Sequence, residues 1–307
     1  MFTVSCINRT LTVTRAGVIE SDTIGPVSII IGFYAASERS PMSYETIIFE
    51  KSEGVAKITL NRLDNLNALN DAMQEDLMSV FEDIAKADDI RVLVIAGAGR
   101  AFSAGADIRQ RFLDPIEKSK TGEVNMALVD TFTRVGVAAI RRIEQPIIAS
   151  INGAAVGFGC TLSLTCDLRI ASDKARFGLG FVRMGVTPEF GSTYYLPRIV
   201  GPAKSLELLF TGKIIDAAEA KEIGLVNQVV PADELENVTM ELAKNIAKAP
   251  PMSIRMIKKG VYQGMENDAD TQVLWEHLVF TRARQTEDHE EGVRSFLEKR
   301  EPEFKGK

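Results

Sequence analysis

Apolar and polar positions change rhythm several times along the chain, and each change marks an element. From Met42 the segment SYETIIFEKSEGVAKITLNR holds two short β-type runs broken by Gly54, which predicts a hairpin at the start of a domain. Asn70 is placed to cap a helix through Ala85, because Met73, Leu77, Val80, Phe81 and Ile84 then fall on one face at helical spacing. The continuous β-branched run from Arg91 to Ala96 predicts a buried strand, and it leads into a glycine loop, GAGRAFSAGADI. The pattern then recurs: a helix from about Asn125 to Arg142, a strand from Pro146 to Ile151, and a second glycine loop, NGAAVGFGC. Further strands are predicted at Leu168 to Ala171 and near Ala175 to Phe177. Repeated strand-turn-helix units predict an α/β fold with stacked parallel strands. From about Ala232 the sequence is helical and strongly charged, so residues 42–231 read as the core and 232–307 as a C-terminal helical region.

Residues 1–41 have a different texture, with no lysine and an apolar run from Ile24 to Ala36. That run is too short for a spanning helix, which needs roughly 20 apolar residues. The opening MFTVSCINRT also lacks the basic start and immediate apolar stretch of a secretory signal. The expectation is a poorly packed extension or a mis-assigned start, with Met42 as the natural one, and no membrane partner.

Composition narrows the chemistry. The net charge is −6, from 36 basic and 42 acidic residues, and no basic stripe is interleaved with aromatics, so a nucleic-acid partner is not expected. Cys6, Cys160 and Cys166 are odd in number and lack metal-ligand spacing, which fits free thiols in a reducing, cytoplasmic setting. The only histidines, His277 and His289, lie far from both glycine loops, which argues against a serine-histidine hydrolase or a histidine-ligated zinc. Neither a metal nor a separate cofactor is expected.

Each glycine loop follows a strand and opens a helix, where unpaired N–H groups point outward and suit an oxyanion. Gly105, flanked by Ala104 and Ala106, and Gly157 and Gly159, flanking Phe158, let a ligand approach the backbone. Either loop alone is also what a tight strand-to-helix turn looks like. Two matched loops in successive units favour a site.

The segments ITLNRLDNLNALN (58–70), AFSAGADI (101–108), INGAAVGFGC (151–160) and FTGKIIDAAEAKEIGLVNQVV (210–230) together resemble the crotonase superfamily, the enoyl-CoA hydratase and isomerase group. The resemblance runs from about Met42 to Phe304. It implies a crotonase-type spiral of β-β-α units with a C-terminal α-helical region, an acyl-CoA substrate, and a homotrimer or homohexamer. By motif, the N–H groups of Ala106 and Phe158 would form the oxyanion hole. Asn65, Leu66, Ala104, Asp107 and Ile108 match the family's walls around the CoA adenine and pantetheine. Phe296 and Lys299 match residues that approach the CoA phosphates, often from a neighbouring subunit, although a solvated charge would serve equally for Lys299.

The departures from the family pattern decide the expected reaction. A hydratase of this family uses one glutamate after the cysteine of GGGCE and another in an FGxPE segment. Here the residue after Cys160 is Thr161, and FGLGF places Phe181 where the second glutamate would fall, so both line an acyl pocket without a base. A glutamate appears eight residues later instead, at Glu189 in PEFGSTY, which resembles the PE-x-x-S-S-Y segment of Δ3,Δ2-enoyl-CoA isomerases. In those enzymes that glutamate is the single base, and apolar neighbours such as Phe181 and Phe190 would favour its neutral form. The expected activity is therefore an enoyl-CoA isomerase. A hydratase, or another enolate-forming lyase or C–C hydrolase of the superfamily, is the alternative, and a surface glutamate after a loop proline is the plain reading of Glu189.

Overall fold

The computed structural model describes residues 44–124 and 132–307, together with the backbone of two paired strands near the N-terminus. Those strands, β1 (Phe2–Cys6) and β2 (Arg9–Val13), form an antiparallel hairpin within a unit of their own, Met1–Ser43. The apolar run from Ile24 to Ala36 lies outside the described residues. All else belongs to a second unit, Tyr44–Lys307.

The second unit opens with the expected hairpin, β3 (Ile47–Ser52) and β4 (Val55–Leu60), turning at Glu53 and Gly54. Helix α1 (Asp71–Lys86) follows, and Asn70 caps it as predicted, its side chain accepting from the Met73 N–H at 2.9 Å. Next come β5 (Val92–Gly97), β6 (Ala101–Ser103), α2 (Asp114–Lys120) and α3 (Phe132–Arg141). The first seven residues of the helix expected from Asn125 lie outside the described residues. The chain continues through β7 (Ile147–Ile151), β8 (Ala154–Val156), α4 (Phe158–Leu164), β9 (Leu168–Ser172), β10 (Arg176–Gly178), α5 (Ser192–Val200) and α6 (Pro202–Thr211). It closes with β11 (Ile214–Asp216), α7 (Ala217–Glu222), β12 (Gln228–Val230), α8 (Leu235–Ala247), α9 (Pro251–Gly264), α10 (Ala269–Ala283) and α11 (Glu287–Glu298).

The strands form two sheets, ordered β12-β9-β7-β5-β4-β3 and β11-β10-β8-β6. Each successive pair, β5 then β6, β7 then β8, β9 then β10, places one strand in each sheet, and the intervening helices carry the chain to the next turn. This is the β-β-α spiral of the crotonase fold. Its corners are tight: a Cβ on Gly153, between β7 and β8, would lie 2.1 Å from the Arg100 carbonyl oxygen. Only glycine lets the turns stack so closely.

The larger sheet is buried on both faces, as its unbroken apolar runs require. Alternation along β5 sends Leu93 and Ile95 into the main core beside Leu77, Phe81 and Ile84 of α1. Val92 and Val94 face the other way, onto Leu235, Ala243 and Ala247 of α8. The first helix of the C-terminal region thus packs on the sheet. Helix α9 is tied down differently. Its Lys258 Nζ pairs with Asp167 at 2.9 Å and donates to the carbonyls of Ile143 and Gln145, while the Tyr262 hydroxyl donates to Asp167 at 2.8 Å. No helix among the described residues is long and apolar enough to cross a membrane.

One buried carboxylate fixes how the first hairpin enters the domain. Asp76 of α1 accepts from the Thr46 N–H at 2.7 Å, the Thr46 hydroxyl at 2.7 Å and the Glu45 N–H at 3.0 Å. Asp76→Ala leaves buried donors without an acceptor, so unfolding in urea is expected to show a loss of about 2–3 kcal/mol. An unchanged midpoint and slope would remove Asp76 from this role.

Candidate active site

The two glycine loops meet. A Cβ on Gly157 would lie 3.6 Å from the Gly105 Cα, and one on Gly105 would lie 3.1 Å from the Val156 carbonyl oxygen, so side chains at either position would fill the space between the loops. Both glycines also have positive φ, +110° and +51°, which suits residues without a Cβ. The first loop forms a parallel bridge, Leu69 with Ala106, in which Leu69 donates to the Gly105 carbonyl and accepts from the Asp107 N–H, each at 2.8 Å. Bonding on both flanks turns the Ala106 N–H away from Leu69. In the second loop the Gly157 N–H donates to Gly178 O at 2.8 Å, and the Phe158 N–H is the first of α4, a position with no carbonyl one turn back. Two backbone donors are thereby held by rigid neighbours and left available, which is what a developing thioester oxyanion needs.

The first loop does not open directly onto an α-helix. It contains the short strand β6, and a π-helical turn, Arg109–Leu113, separates it from α2. The second loop holds β8 and then starts α4 at Phe158 as expected.

Glu189 reaches α4 from the loop before α5. Its Oε1 accepts from the Thr161 hydroxyl at 2.8 Å, and Thr161 lies one helical turn beyond Phe158 on the same helix. The base candidate and one oxyanion donor are thus joined through a single turn. The Glu189 carbonyl in turn accepts from both the N–H and hydroxyl of Ser192, at 3.0 and 2.7 Å. Between them Phe190 and Gly191 have φ of +53° and +74°; an aromatic residue in that region carries strain of about 1–2 kcal/mol. The strained turn projects Glu189 toward α4 and drives Phe190 inward. There Phe190, Phe158 and Phe132 pack as a triangle, with ring centroids 5.3, 5.6 and 5.9 Å apart.

The remaining predicted residues divide into two groups. Asn65, Leu66, Ala104 and Asp107 come together: the Ala104 N–H donates to Leu66 O at 2.9 Å, and Arg62 Nη2 reaches both Asn65 Oδ1 and Asp107 Oδ2, at 3.3 and 3.2 Å. Ile108 follows on this wall and is exposed. Phe296 and Lys299 stand elsewhere. Phe296 is 83% exposed beside a groove lined by Phe280, Val293, Leu297 and Phe304 of the C-terminal region, and Lys299 ends α11 with its side chain in solvent. Phe181 is buried in the same apolar cluster as Phe190, on a short 3₁₀ turn, Gly180–Met184.

Several contributors went unrecognised in the sequence. Arg62 and Asn67 order the segment around Asn65, Leu66 and Asp107; Asn67 Nδ2 donates to Ala98 O and Ala101 O, both at 2.9 Å, from a left-handed backbone. Both lie inside the quoted LNRLDNLNALN motif, where polar residues within an apolar frame were the available signal. Thr161, expected only to line the acyl pocket, is the hydrogen-bond partner of Glu189. The two described cysteines take no part: burial pushes the thiols of Cys160 and Cys166 up to about 12, which keeps both protonated and poorly nucleophilic near neutral pH. Among the described residues no cluster of three or more His, Cys, Asp or Glu side chains is arranged to hold a metal ion.

Paired backbone donors, a carboxylate across one helical turn and a wall formed by Asn65, Leu66, Ala104 and Asp107 thus come together as one candidate site. Residues 50–307 match the sequence profile of the enoyl-CoA hydratase/isomerase family. A probable enoyl-CoA hydratase of Mycobacterium tuberculosis is 37% identical over 86% of this chain and 99% of its own length. The short-chain-enoyl-CoA hydratase of Clostridium acetobutylicum is 38% identical over 85% and 98%, and the 1,2-epoxyphenylacetyl-CoA isomerase of Escherichia coli is 35% identical over 86% and 99%. Among solved structures, an enoyl-CoA hydratase of Bacillus anthracis superposes with a TM-score of 0.78 at 36% identity, covering 86% of this chain and all of that one. The chain belongs to the enoyl-CoA hydratase/isomerase family, and it is an enzyme acting on CoA thioesters.

Proposed function

We propose that this enzyme is an enoyl-CoA isomerase that moves the double bond of a 3-enoyl thioester into conjugation, with Glu189 as its single base. The carbonyl oxygen sits between the N–H groups of Ala106 and Phe158. Glu189 takes a proton from C2, the electrons spread into a dienolate whose charge rests on that oxygen, and the protonated Glu189 returns the proton to C4. The double bond then lies between C2 and C3. The reaction is redox-neutral and calls for no cofactor beyond the CoA carried by the substrate. Two fixed N–H donors in a dry site contribute on the order of 3 kcal/mol each to stabilising the oxyanion.

The observation that carries this reading is the hydrogen bond from Thr161 to Glu189: the carboxylate is held against the oxyanion helix, while positions 161 and 181 bear threonine and phenylalanine. Hydration needs one group to position water and another to move a proton. The hydratase names of several relatives support the second reading, in which Glu189 works with a group supplied by substrate or solvent. Conversion of 3-enoyl to 2-enoyl thioester and hydration of the 2-enoyl thioester are measured side by side. Isomerisation is expected to dominate; hydration with the higher kcat/KM would move the assignment to the hydratase.

The exposed apolar residues of the C-terminal helices support an oligomer of the kind that the family resemblance implies. Val273, Leu274, Leu278 and Phe280 of α10 are each 60–65% exposed, more apolar surface than a lone chain normally leaves in water. Trp275 of the same helix packs within the chain, where a Cβ on Gly260 of α9 would lie 2.5 Å from its ring. A homotrimer or a dimer of trimers is expected by light scattering, at about three or six times the 33.7 kDa chain mass. A monomer at micromolar concentration would exclude that assembly.

A further inference from the structure

The aromatic triangle is built from residues next to the candidate catalytic groups: Phe158 carries one of the two backbone donors, and Phe190 follows Glu189. With the carbonyl oxygen on the Ala106 and Phe158 donors and Glu189 serving C2 and C4, the substrate runs from the CoA-side wall past the carboxylate. Beyond C4 it meets Phe190, the residue after Glu189, and the ring of Phe158, whose backbone holds the oxyanion. Phe132 of α3 closes the group, and all three side chains are almost fully buried.

The rings have little room to retreat. Gly136, one turn beyond Phe132, lies so close that a Cβ there would be 2.9 Å from the Cε2 atoms of both Phe132 and Phe190. Beyond the triangle, a separate cavity of about 430 Å³ is lined by Ile140, Thr165, Tyr194 and Tyr195. Ile140 lies one helical turn past Gly136 and Thr165 one turn past Thr161, while Tyr194 and Tyr195 sit in the first turn of α5, which follows the Phe190–Gly191 turn. Arg141, Arg255 and Lys258 also line that cavity, so it is not an apolar continuation of the site. None of the three phenylalanines lines that cavity, so the close-packed rings are not its wall and give the site no opening into it.

We propose that Phe132, Phe158 and Phe190 form the end wall of the acyl subsite and restrict the enzyme to short acyl chains. The inference rests on the placement of the thioester between the two loops and of Glu189 beside C2 and C4. It does not depend on which reaction follows. An open apolar channel gains about fourfold in affinity for each methylene buried, or about two-hundredfold from butanoyl to octanoyl. A wall forfeits that gain, because added methylenes must displace close-packed rings.

The test measures binding of saturated butanoyl-, hexanoyl- and octanoyl-CoA to the full chain by calorimetry, so no base and no turnover are involved. Wild-type affinity is expected to level off or fall between butanoyl and octanoyl. Phe132→Ala, outside the catalytic groups, is expected to tighten octanoyl-CoA at least tenfold while changing butanoyl-CoA less than threefold; Phe132→Leu should fall between. A wild-type gain of about a hundredfold from butanoyl to octanoyl overturns the wall, as does a folded Phe132→Ala protein with an unchanged length profile. If Phe132→Ala fails to fold, the wild-type profile and Phe132→Leu decide. A steep length limit together with absent 3-enoyl turnover would keep the wall and reject the isomerase reading.

Discussion

Replacing Glu189 with glutamine is expected to lower the rate of 3-enoyl to 2-enoyl conversion by about three orders of magnitude, with CoA binding intact. Glutamine keeps the size of the side chain and an oxygen that can still accept from the Thr161 hydroxyl, so the 2.8 Å contact survives in kind. What disappears is the ability to take the C2 proton. Thr161→Val separates base from support: it removes the hydroxyl at nearly constant volume, leaving the carboxylate chemically competent but less well aimed. One lost hydrogen bond of this sort corresponds to about a tenfold loss. Steady-state isomerisation and hydration are followed for wild type and both variants, with circular dichroism and CoA titration as controls for folding and binding. Isomerisation that persists in Glu189→Gln would show that another group moves the proton.

Why Glu189 stands out in the sequence as a candidate while its hydrogen-bond partner does not is a matter of range. PEFGSTY is a local pattern, and the loss of carboxylates at positions 161 and 181 left Glu189 as the candidate that chemistry required. Thr161 lies 28 residues away, and its contact exists only after α4 and the Phe190 turn are packed together. The same distinction holds for the fold. Helix α1 was legible because Asn70 and five apolar residues at helical spacing point to one answer, and β5 and β7 because their runs are unbroken. Strands β6, β8 and β11 have three residues each, too few to display a period, and the first two sit within glycine-rich segments that resemble loops. With them went the second sheet. The ring of Phe158 was also invisible in a motif that concerns only its backbone, although that ring is one side of the aromatic triangle beside Glu189.

Ala106→Pro tests the other half of the chemistry, the stabilisation of the oxyanion. Proline deletes the N–H at position 106, and the two hydrogen bonds that hold this segment to Leu69 come from its neighbours, the Gly105 carbonyl and the Asp107 N–H. The loop therefore retains its anchors. Gly105, at φ +110°, has no Cβ to clash with the new ring, the main reason residues before proline are restricted. Removing one such donor costs about a hundredfold to a thousandfold in kcat, and the loss should appear in kcat rather than in CoA affinity. Ala106→Gly supplies the control, since it keeps the N–H and alters only a methyl group; it is expected to stay within about tenfold of wild type, the remainder reflecting a looser loop. A folded Ala106→Pro enzyme with wild-type kcat would place the oxyanion elsewhere, and the loop would then be no more than a tight turn beside Asn65 and Leu66.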